Sequence, residues 1–530
     1  MPALRILLAD PVSATCVKRL CEGGVIETES MPAKSPKEAL LKKLKEGFDA
    51  LVVRSATRAD RDVIEAGVPR LRAIGRAGVG IDNVDLDAAT SFGVAVMNVP
   101  DANTVSAAEH TVALMLALAR NVPRGWASFQ EGKWERSKFT GTELRGKTLG
   151  LVGMGRIGSL VATAAQALGM RVLVHDPYIP QARAESLGVE MTELDALLKE
   201  SDVVSLHVPK SDATRNLINA ERLALMKPTA RLINCARGGV VDEEALYDAI
   251  KNDRLAGAAL DVYIKEPPEM KPLYGLPNVV TTPHLGASTS EAQEKVGVQI
   301  AERLRKFLLE GSYEDALNVP FRRLPEEGKP FFDLAERMGA LHFQLMDEPA
   351  KSVCLEYCGE EIGDLKPFTC AYLKGLLNPM TEGGVNWVNA LPRASERGIA
   401  VEEIHSHKDL GYANLMRVTF TGEAGAKHVL AGCVFEQSLL RLVEISGYRV
   451  DVEPRGVLLL VENQDVPGSL GSVASLLGKH EINIGECRFG RKERSGSALT
   501  VLALDEEAPE NVLAALKKLP TVQSVRQVRL

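Results

Sequence analysis

The stretch TLGLVGMGRIGSLVATAAQALGMRVLVHD, residues 148–176, decides the fold. Its first five residues are an apolar run that reads as a buried strand. The run stops at Gly153, and Gly153-Met154-Gly155-Arg156-Ile157-Gly158 has the spacing G-x-G-x-x-G. An apolar helical pattern starts after Gly158, and a second strand, RVLVH, delivers Asp176, 18 residues beyond Gly158. Alone, such glycines mark an ordinary strand–helix turn. In this order they permit a tight turn, close approach of the backbone to a pyrophosphate, and close packing of helix on strand. The helix N-terminus then offers unpaired N–H groups to the anion. Asp176 stands where a carboxylate accepts hydrogen bonds from an adenosine ribose, and no arginine lies beside it to meet a 2′-phosphate. The stretch reads as a unit that binds NAD.

The same alternation extends in both directions. Upstream lie LRILLA (4–9), FDALVVR (48–54), LRAIG (71–75) and VAVMN (94–98). Downstream lie DVVSLHV (202–208), ARLINCA (230–236), AGAALDV (256–262) and NVVTTPH (278–284). Strands separated by helical patterns imply parallel sheets with crossover helices. Residues 104–120 and 291–309 read as long helices, 121–147 as a polar stretch, and 318–330 as a linker. Residues 331–450 mix both patterns. Residues 455–530 run strand, helix, strand, strand, helix, strand, a ferredoxin-like order.

Composition sets the outer limits. A chain of 530 residues suggests about three to five domains, and 45% hydrophobic with 25% charged residues is typical of folded proteins. The net charge of −7 lacks the basic footprint of a nucleic-acid binder. Eight cysteines, none in a C-x-x-C pair, predict reduced and mostly buried thiols and no metal site. Cys354 and Cys358 sit in an alternating pattern that reads as a strand. No run of 18 apolar residues occurs, so no membrane span is expected. The start, MPALRILLADPVS, reads as a first strand rather than a signal peptide, and the expected compartment is the cytoplasm.

Three further residues suit hydride chemistry on a hydroxy acid. Arg237, in CARGG, offers a fork for a carboxylate. His284, in TPHLG, suits proton transfer, and Glu266, in IKEPP, suits the carboxylate that orients a histidine ring. Spacing alone does not bring the three together.

The ordered set GMGRIG, HDPY, CARGGVVDE, ALDVYIKEPP and PHLGAST resembles the D-isomer-specific 2-hydroxyacid dehydrogenases. The resemblance implies an α/β fold of two doubly wound Rossmann-like domains with the active site between them. The substrate-binding domain is then discontinuous, residues 1–98 and 287–320, around an NAD-binding domain at 99–286. It also implies that Arg237 binds the substrate carboxylate and that His284 and Glu266 relay the proton. The NAD contacts it implies are Gly153, Gly155, Arg156, Ile157, Gly158, Asp176, Val208, Cys235, Ala236, Arg237, Asp261, His284, Gly286 and Ala287.

VRSAT (53–57), GRAGVGIDNVD (75–85), GKWERSKFTGTEL (132–144) and the long C-terminal extension resemble the branch of that family that acts on 3-phosphoglycerate. By that resemblance Arg54, Ser55, Arg76, Gly78, Val79 and Asn103 line the substrate pocket. Arg136 reaches a substrate across a subunit interface of a homodimer or homotetramer. Val79 and Val208 stand where some relatives carry Thr, so no hydroxyl contact is expected there. VNWVNALPRASERGI (385–399) resembles the intervening α+β domain of that branch, here 321–450. VENQDVPGSL and HEINIGECRFGR resemble an ACT domain, here 451–530, a ferredoxin-like sensor of amino acids. In the branch its ligand is L-serine, and Asn463, Asp465 and Asn483 match the positions that hold it. The competing readings are another D-2-hydroxyacid dehydrogenase, such as a glycerate or 2-oxoglutarate reductase, and an NAD-sensing regulator. The set Arg237, Glu266 and His284 argues against the regulator.

Overall fold

The computed structural model of the chain describes residues 3–33, 35–321, 328–359, 364–381, 384–406, 411–436, 438–493 and 496–530. Part of the expected linker, residues 322–327, lies outside the described residues.

Two parallel sheets form the N-terminal part. The first has the strand order Ile26–Ser30, Leu4–Leu8, Ala50–Val53, Ala73–Arg76, Ala95–Met97. The second has seven strands, in the order Val279–Thr281, Gly257–Leu260, Arg231–Asn234, Val203–Leu206, Thr148–Val152, Arg171–His175, Glu190–Met191. Its strand order reverses at Thr148–Val152, which pairs with Arg171–His175 on one side and Val203–Leu206 on the other. These strands are buried on both faces, which is why they read as unbroken apolar runs. Edge strand Ile26–Ser30, sequence IETES, gave no such run because only Ile26 is buried.

Helix Thr104–Ala119 carries the chain from the first sheet to the second, burying Leu114, Met115 and Leu118 with Leu149, Leu151 and Val161. Helix Ser290–Glu310 brings it back. Its N-terminus is capped by Thr289, and Ile300, Leu304 and Phe307 are buried with Ile6, Ala73 and Met97 of the first sheet. The unit built on the first sheet is therefore discontinuous in sequence. The polar stretch 121–147 carries two short elements. It holds helix Val122–Gln130 and a 3₁₀ turn, Arg136–Phe139. Pro123 starts that helix, where its missing N–H costs nothing, and Gly125 disguised it.

The C-terminal part holds two more sheets. One runs Ala400–Ser406, Ala350–Gly359, Asn414–Gly422, Lys427–Phe435, Leu439–Ile445, Tyr448–Val452, and is antiparallel except for its first pair. Cys354 and Cys358 lie on its second strand, as the alternation predicts. The other, in the order Ile484–Arg491, Ser497–Leu504, Val457–Gln464, Val522–Arg529, carries helices Ser469–Lys479 and Glu510–Leu516 in the expected ferredoxin-like order.

One apolar core runs without a break from Ile6 and Leu8 through Phe307, Phe332, Tyr372 and Phe420 to Leu458, Val501 and Val528. Trp387 links the parts, its ring centroid 4.2 Å from that of Phe332 and 4.9 Å from that of Tyr313. Each large side chain buried this way contributes about 1.5–3 kcal/mol. The seven-stranded sheet has separate cores on its two faces. All eight cysteines are free thiols, and Cys487 departs from expectation in being exposed. No helix among the described residues is long and apolar enough to cross a membrane.

Candidate active site

The expected site residues of the N-terminal part gather where parallel sheets present ligands, at or just beyond the carboxyl ends of their strands. On the seven-stranded sheet these are the Gly153 loop, Asp176, Val208, Cys235 to Arg237, Asp261 and His284. On the first sheet they are Arg54 and Ser55 after Ala50–Val53, and Arg76, Gly78 and Val79 at and after Ala73–Arg76.

The glycine loop fits a dinucleotide. Gly153 has φ +95°, and a Cβ there would lie 2.7 Å from the carbonyl oxygen of His207. A Cβ on Gly158 would lie 2.4 Å from the carbonyl oxygen of Gly153, so helix and strand close only without side chains. Gly155 has open space instead, and no side chain caps helix Arg156–Ala167. Its first N–H groups and its dipole therefore face outward, as a pyrophosphate requires. Asp176 accepts from Met154 N at 2.8 Å and Tyr178 N at 2.9 Å. It shapes the loop that follows strand Thr148–Val152. Cys235 and Ala236 follow strand Arg231–Asn234. The Cys235 thiol is pushed up to about 12, by burial first, and so stays protonated.

The acid–base pair is formed. Nδ1 of His284 lies 2.6 Å from Oε2 of Glu266, whose Oε1 accepts from Tyr263 N at 3.1 Å. The hydrogen bond to Glu266 holds the His284 pKa above its ordinary value, against desolvation. Burial pushes Glu266 up, but the hydrogen bond and charge of His284 outweigh it and the carboxyl lies below its ordinary value. His284 has φ +54°, an uncommon backbone for a non-glycine residue and one that functional sites hold by design.

Asp261 holds that backbone. It was expected to touch NAD directly. Instead it is 0% exposed, and its carboxylate accepts from Leu285 N (2.7 Å), Gly286 N (2.9 Å) and Thr282 Oγ1 (2.6 Å). Its part in the site runs through the turn that carries His284, Gly286 and Ala287. Burial raises its pKa, but His110, Thr282 and the two N–H groups lower it further, so it stays ionised. His110, with Nε2 3.2 Å from Asp261 and 3.1 Å from Thr282, escaped the sequence reading. It lies inside an apolar helix, and only the fold sets it against Asp261.

Three arginines converge beside this pair. Arg237 is part-buried, its loop shaped by Asn234, whose side chain donates to the Arg237 carbonyl at 3.1 Å and accepts from Ala236 N at 3.1 Å. Arg76 is half-buried and its buried Nε has no hydrogen-bond partner. Burial first, then the charges of Arg237 and Arg54, push its pKa down to about 10. Gly78 makes room for it: φ is +153°, and a Cβ there would sit 1.6 Å from Nη1 of Arg76. Arg54 bonds Pro11 O at 3.2 Å and its backbone N donates to Asp10. Ser55 is exposed, and the side chain of Asn103 does not cap the helix it precedes.

Other expected residues stand apart. Arg136 is exposed, on the turn that packs against helix Val122–Gln130. In the last domain Asn463 is 0% exposed, and both ends of its amide are used internally, toward Gln464 O (2.9 Å) and from Thr500 Oγ1 (3.0 Å). It therefore presents no free amide atom. Asp465 accepts from Arg491 at 3.3 Å, and Asn483 donates to Asp505 at 2.6 Å.

Residues 112–286 match the family of D-isomer specific 2-hydroxyacid dehydrogenase NAD binding domains. Residues 327–446 match the D-3-phosphoglycerate dehydrogenase intervening domain, and 457–521 the ACT domain. The chain is 42% identical to the D-3-phosphoglycerate dehydrogenase of Methanocaldococcus jannaschii, over 99% of this chain and 100% of that one. It is 39% identical to the Bacillus subtilis protein of the same name, over 99% of each. Among solved structures, TT0316 from Thermus thermophilus is 39% identical with a TM-score of 0.54, covering 59% of this chain and all of that one. D-lactate dehydrogenase from Aquifex aeolicus, complexed with NAD and lactic acid, is 30% identical with a TM-score of 0.52, covering 60% and 100%. With relatives this similar along their whole length, the chain belongs to the D-3-phosphoglycerate dehydrogenase family.

Proposed function

We propose that the chain oxidises 3-phospho-D-glycerate to 3-phosphooxypyruvate with NAD, the first step of L-serine biosynthesis, in the cytoplasm. The observation that carries the choice of substrate is the half-buried Arg76, whose buried Nε has no partner and which lies close enough to Arg54 and Arg237 for their charges to act on it. Three guanidiniums on one wall need anions, and a phosphorylated hydroxy acid brings a phosphate and a carboxylate. Arg237 holds the carboxylate; Arg54 and Arg76 hold the phosphate. Neutral His284 takes the hydroxyl proton at Nε2, and Glu266 fixes the ring through Nδ1 and stabilises the resulting imidazolium. When bound, NAD accepts the hydride. The residues proposed to hold it are the Gly153–Gly158 loop, Asp176 at the ribose, and Val208, Cys235–Arg237 and Gly286–Ala287 along the strand ends.

The same reading makes the enzyme a homo-oligomer. Trp126, Phe129 and Trp134 are 66%, 60% and 76% exposed, next to Arg136. Large apolar side chains grouped on a surface suit coverage by a second copy, which would carry Arg136 toward its neighbour's substrate. The ACT domain takes L-serine, with Asp465 and Asn483 as its polar contacts. The test is NADH formation from 3-phosphoglycerate, D-glycerate and 2-hydroxyglutarate, each with and without millimolar L-serine. Turnover selective for the phosphorylated acid supports the substrate; turnover equal on all three refutes it.

A further inference from the structure

Two of the arginines assigned to ligands already hold a carboxylate of this chain. Arg156, which opens the helix at the glycine loop, pairs with Asp101. Arg237 pairs with Asp82, Nε to Oδ2 at 3.5 Å. The acids come from the first sheet's side. Asp82 lies in the loop after Ala73–Arg76, and Asp101 lies in the segment after Ala95–Met97. Both arginines belong to strand ends of the seven-stranded sheet. The pairs therefore bridge the two halves of the site. Among the described residues neither acid side chain makes a second ion pair or hydrogen bond, though the charge of Asp82 also acts on Arg76, and both are open to solvent, 62% for Asp82 and 49% for Asp101. Gly80 leaves space for the second pair: a Cβ there would lie 2.8 Å from Nη2 of Arg237 and 3.0 Å from Oδ2 of Asp82.

We propose that Asp101 and Asp82 are internal counterions, standing on Arg156 and Arg237 where the dinucleotide's pyrophosphate and the substrate's carboxylate must stand. This rests on the function proposed above. A guanidinium fork engaged by one carboxylate is less available to a second anion, so each ligand must displace its acid before it binds. The acids set both affinities below what the arginines alone would give, and they do so separately: Asp101 for the dinucleotide, Asp82 for the hydroxy acid. They also keep both cations paired while the site turns over, which lowers the cost of releasing an anionic product.

Isosteric amides test this. Exposed ion pairs contribute up to about 1 kcal/mol, a factor of up to about five. Asp101→Asn should tighten the Kd of NADH, read by its fluorescence on binding, by about two- to five-fold and leave the KM for 3-phosphoglycerate unchanged. Asp82→Asn should lower that KM by a similar factor and leave NADH binding unchanged. The gain from Asp101→Asn should vanish when Arg156 is also changed to Gln. Unchanged or weaker NADH binding in Asp101→Asn overturns the proposal, as does a KM that rises in Asp82→Asn while kcat falls, which would make Asp82 a support of Arg237. Arg156→Gln and Arg237→Gln separate the two levels. If they weaken their ligands while the amides change nothing, the counterions alone fail. If they weaken neither, the assignment of the arginines fails with them.

Discussion

Replacing Glu266 by Gln keeps the side chain's shape and removes its charge. In the native pair Nδ1 of His284 is 2.6 Å from Oε2, and the side chains of His284 and Glu266 are 44% and 36% exposed. A hydrogen bond to a charged group contributes about 1.5–3 kcal/mol. Solvent at this exposure screens part of it, leaving roughly 1–1.5 kcal/mol. The His284 pKa should therefore fall back toward its ordinary value in Glu266→Gln, since the bond that raises it is weakened and the neighbouring charge is gone. Oxidation needs neutral His284. Glu266 raises the pKa of the histidine, so the acid limb of kcat/KM lies above the ordinary histidine value in the native enzyme. In the variant that limb moves toward acid. The maximum falls as well, by roughly 10–100-fold, because the ring loses its orienting partner and the imidazolium its counterion. The assay is kcat/KM for 3-phosphoglycerate against pH, repeated for reduction of 3-phosphooxypyruvate, where protonated His284 is the required form and the alkaline limb should move by the same amount. A limb that stays in place, or moves toward alkali, refutes the reasoning: Glu266 would then not govern the titration.

Arg76→Met should raise the KM for 3-phosphoglycerate at least about tenfold, and also raise the thermal midpoint by roughly 2–4 °C, because it removes a desolvated charge without a full set of partners; calorimetry on the same sample checks both signs. Asp261→Asn sets an amide N–H among donors from Thr282, Leu285 and Gly286, so about 1–3 kcal/mol of stability should go, with kcat falling more than about tenfold although the side chain does not face the substrate. Unchanged kcat would mean that the turn carrying His284 holds its shape unaided. Asp176→Ala should raise the KM for NAD by about 10–100-fold and leave that for 3-phosphoglycerate within twofold, since it removes both the ribose acceptor and the bond to Met154 N. Equal effects on both substrates would point to a collapsed loop rather than a lost contact.

What was legible in the sequence was whatever the backbone itself enforces. The glycine loop could be read because only glycine tolerates the approach of the His207 and Gly153 carbonyls, so the motif and the geometry are the same fact. The buried parallel strands could be read as runs, and the ferredoxin-like order of the last domain as a pattern of periods. The edge strand IETES and helix Val122–Gln130 could not: one is paired on a single side, the other punctuated by Pro123 and Gly125. Glu266 and His284 could be singled out by their chemistry, but only the family resemblance brought them together as a pair. Their meeting depends on the turn at Tyr263–Glu266 and the left-handed backbone at His284, and no spacing rule encodes either. His110 and Asp261 meet through the packing of a helix on a sheet. Asn463 shows the converse: a polar residue in a ligand motif whose amide is consumed inside its own domain.

The distribution of apolar cores restricts how the last domain could influence the reaction. The first sheet, the intervening sheet and the four-stranded sheet share one continuous core, joined at Trp387, whereas the seven-stranded sheet packs on cores of its own. Dense cores transmit displacement rather than absorb it. A ligand on the four-stranded sheet therefore acts on the side that carries Arg54 and Arg76, and not directly on the glycine loop or His284. The catalytic pair is complete within the nucleotide-binding side, since both Glu266 and His284 follow strands of one sheet. What remains adjustable is the separation between Arg54 and Arg76, the arginines proposed to hold the phosphate, and that pair. An effector that changes activity must then bind one such separation better than another, and its signature should be a change in the KM for the phosphorylated acid before any change in the titration of His284.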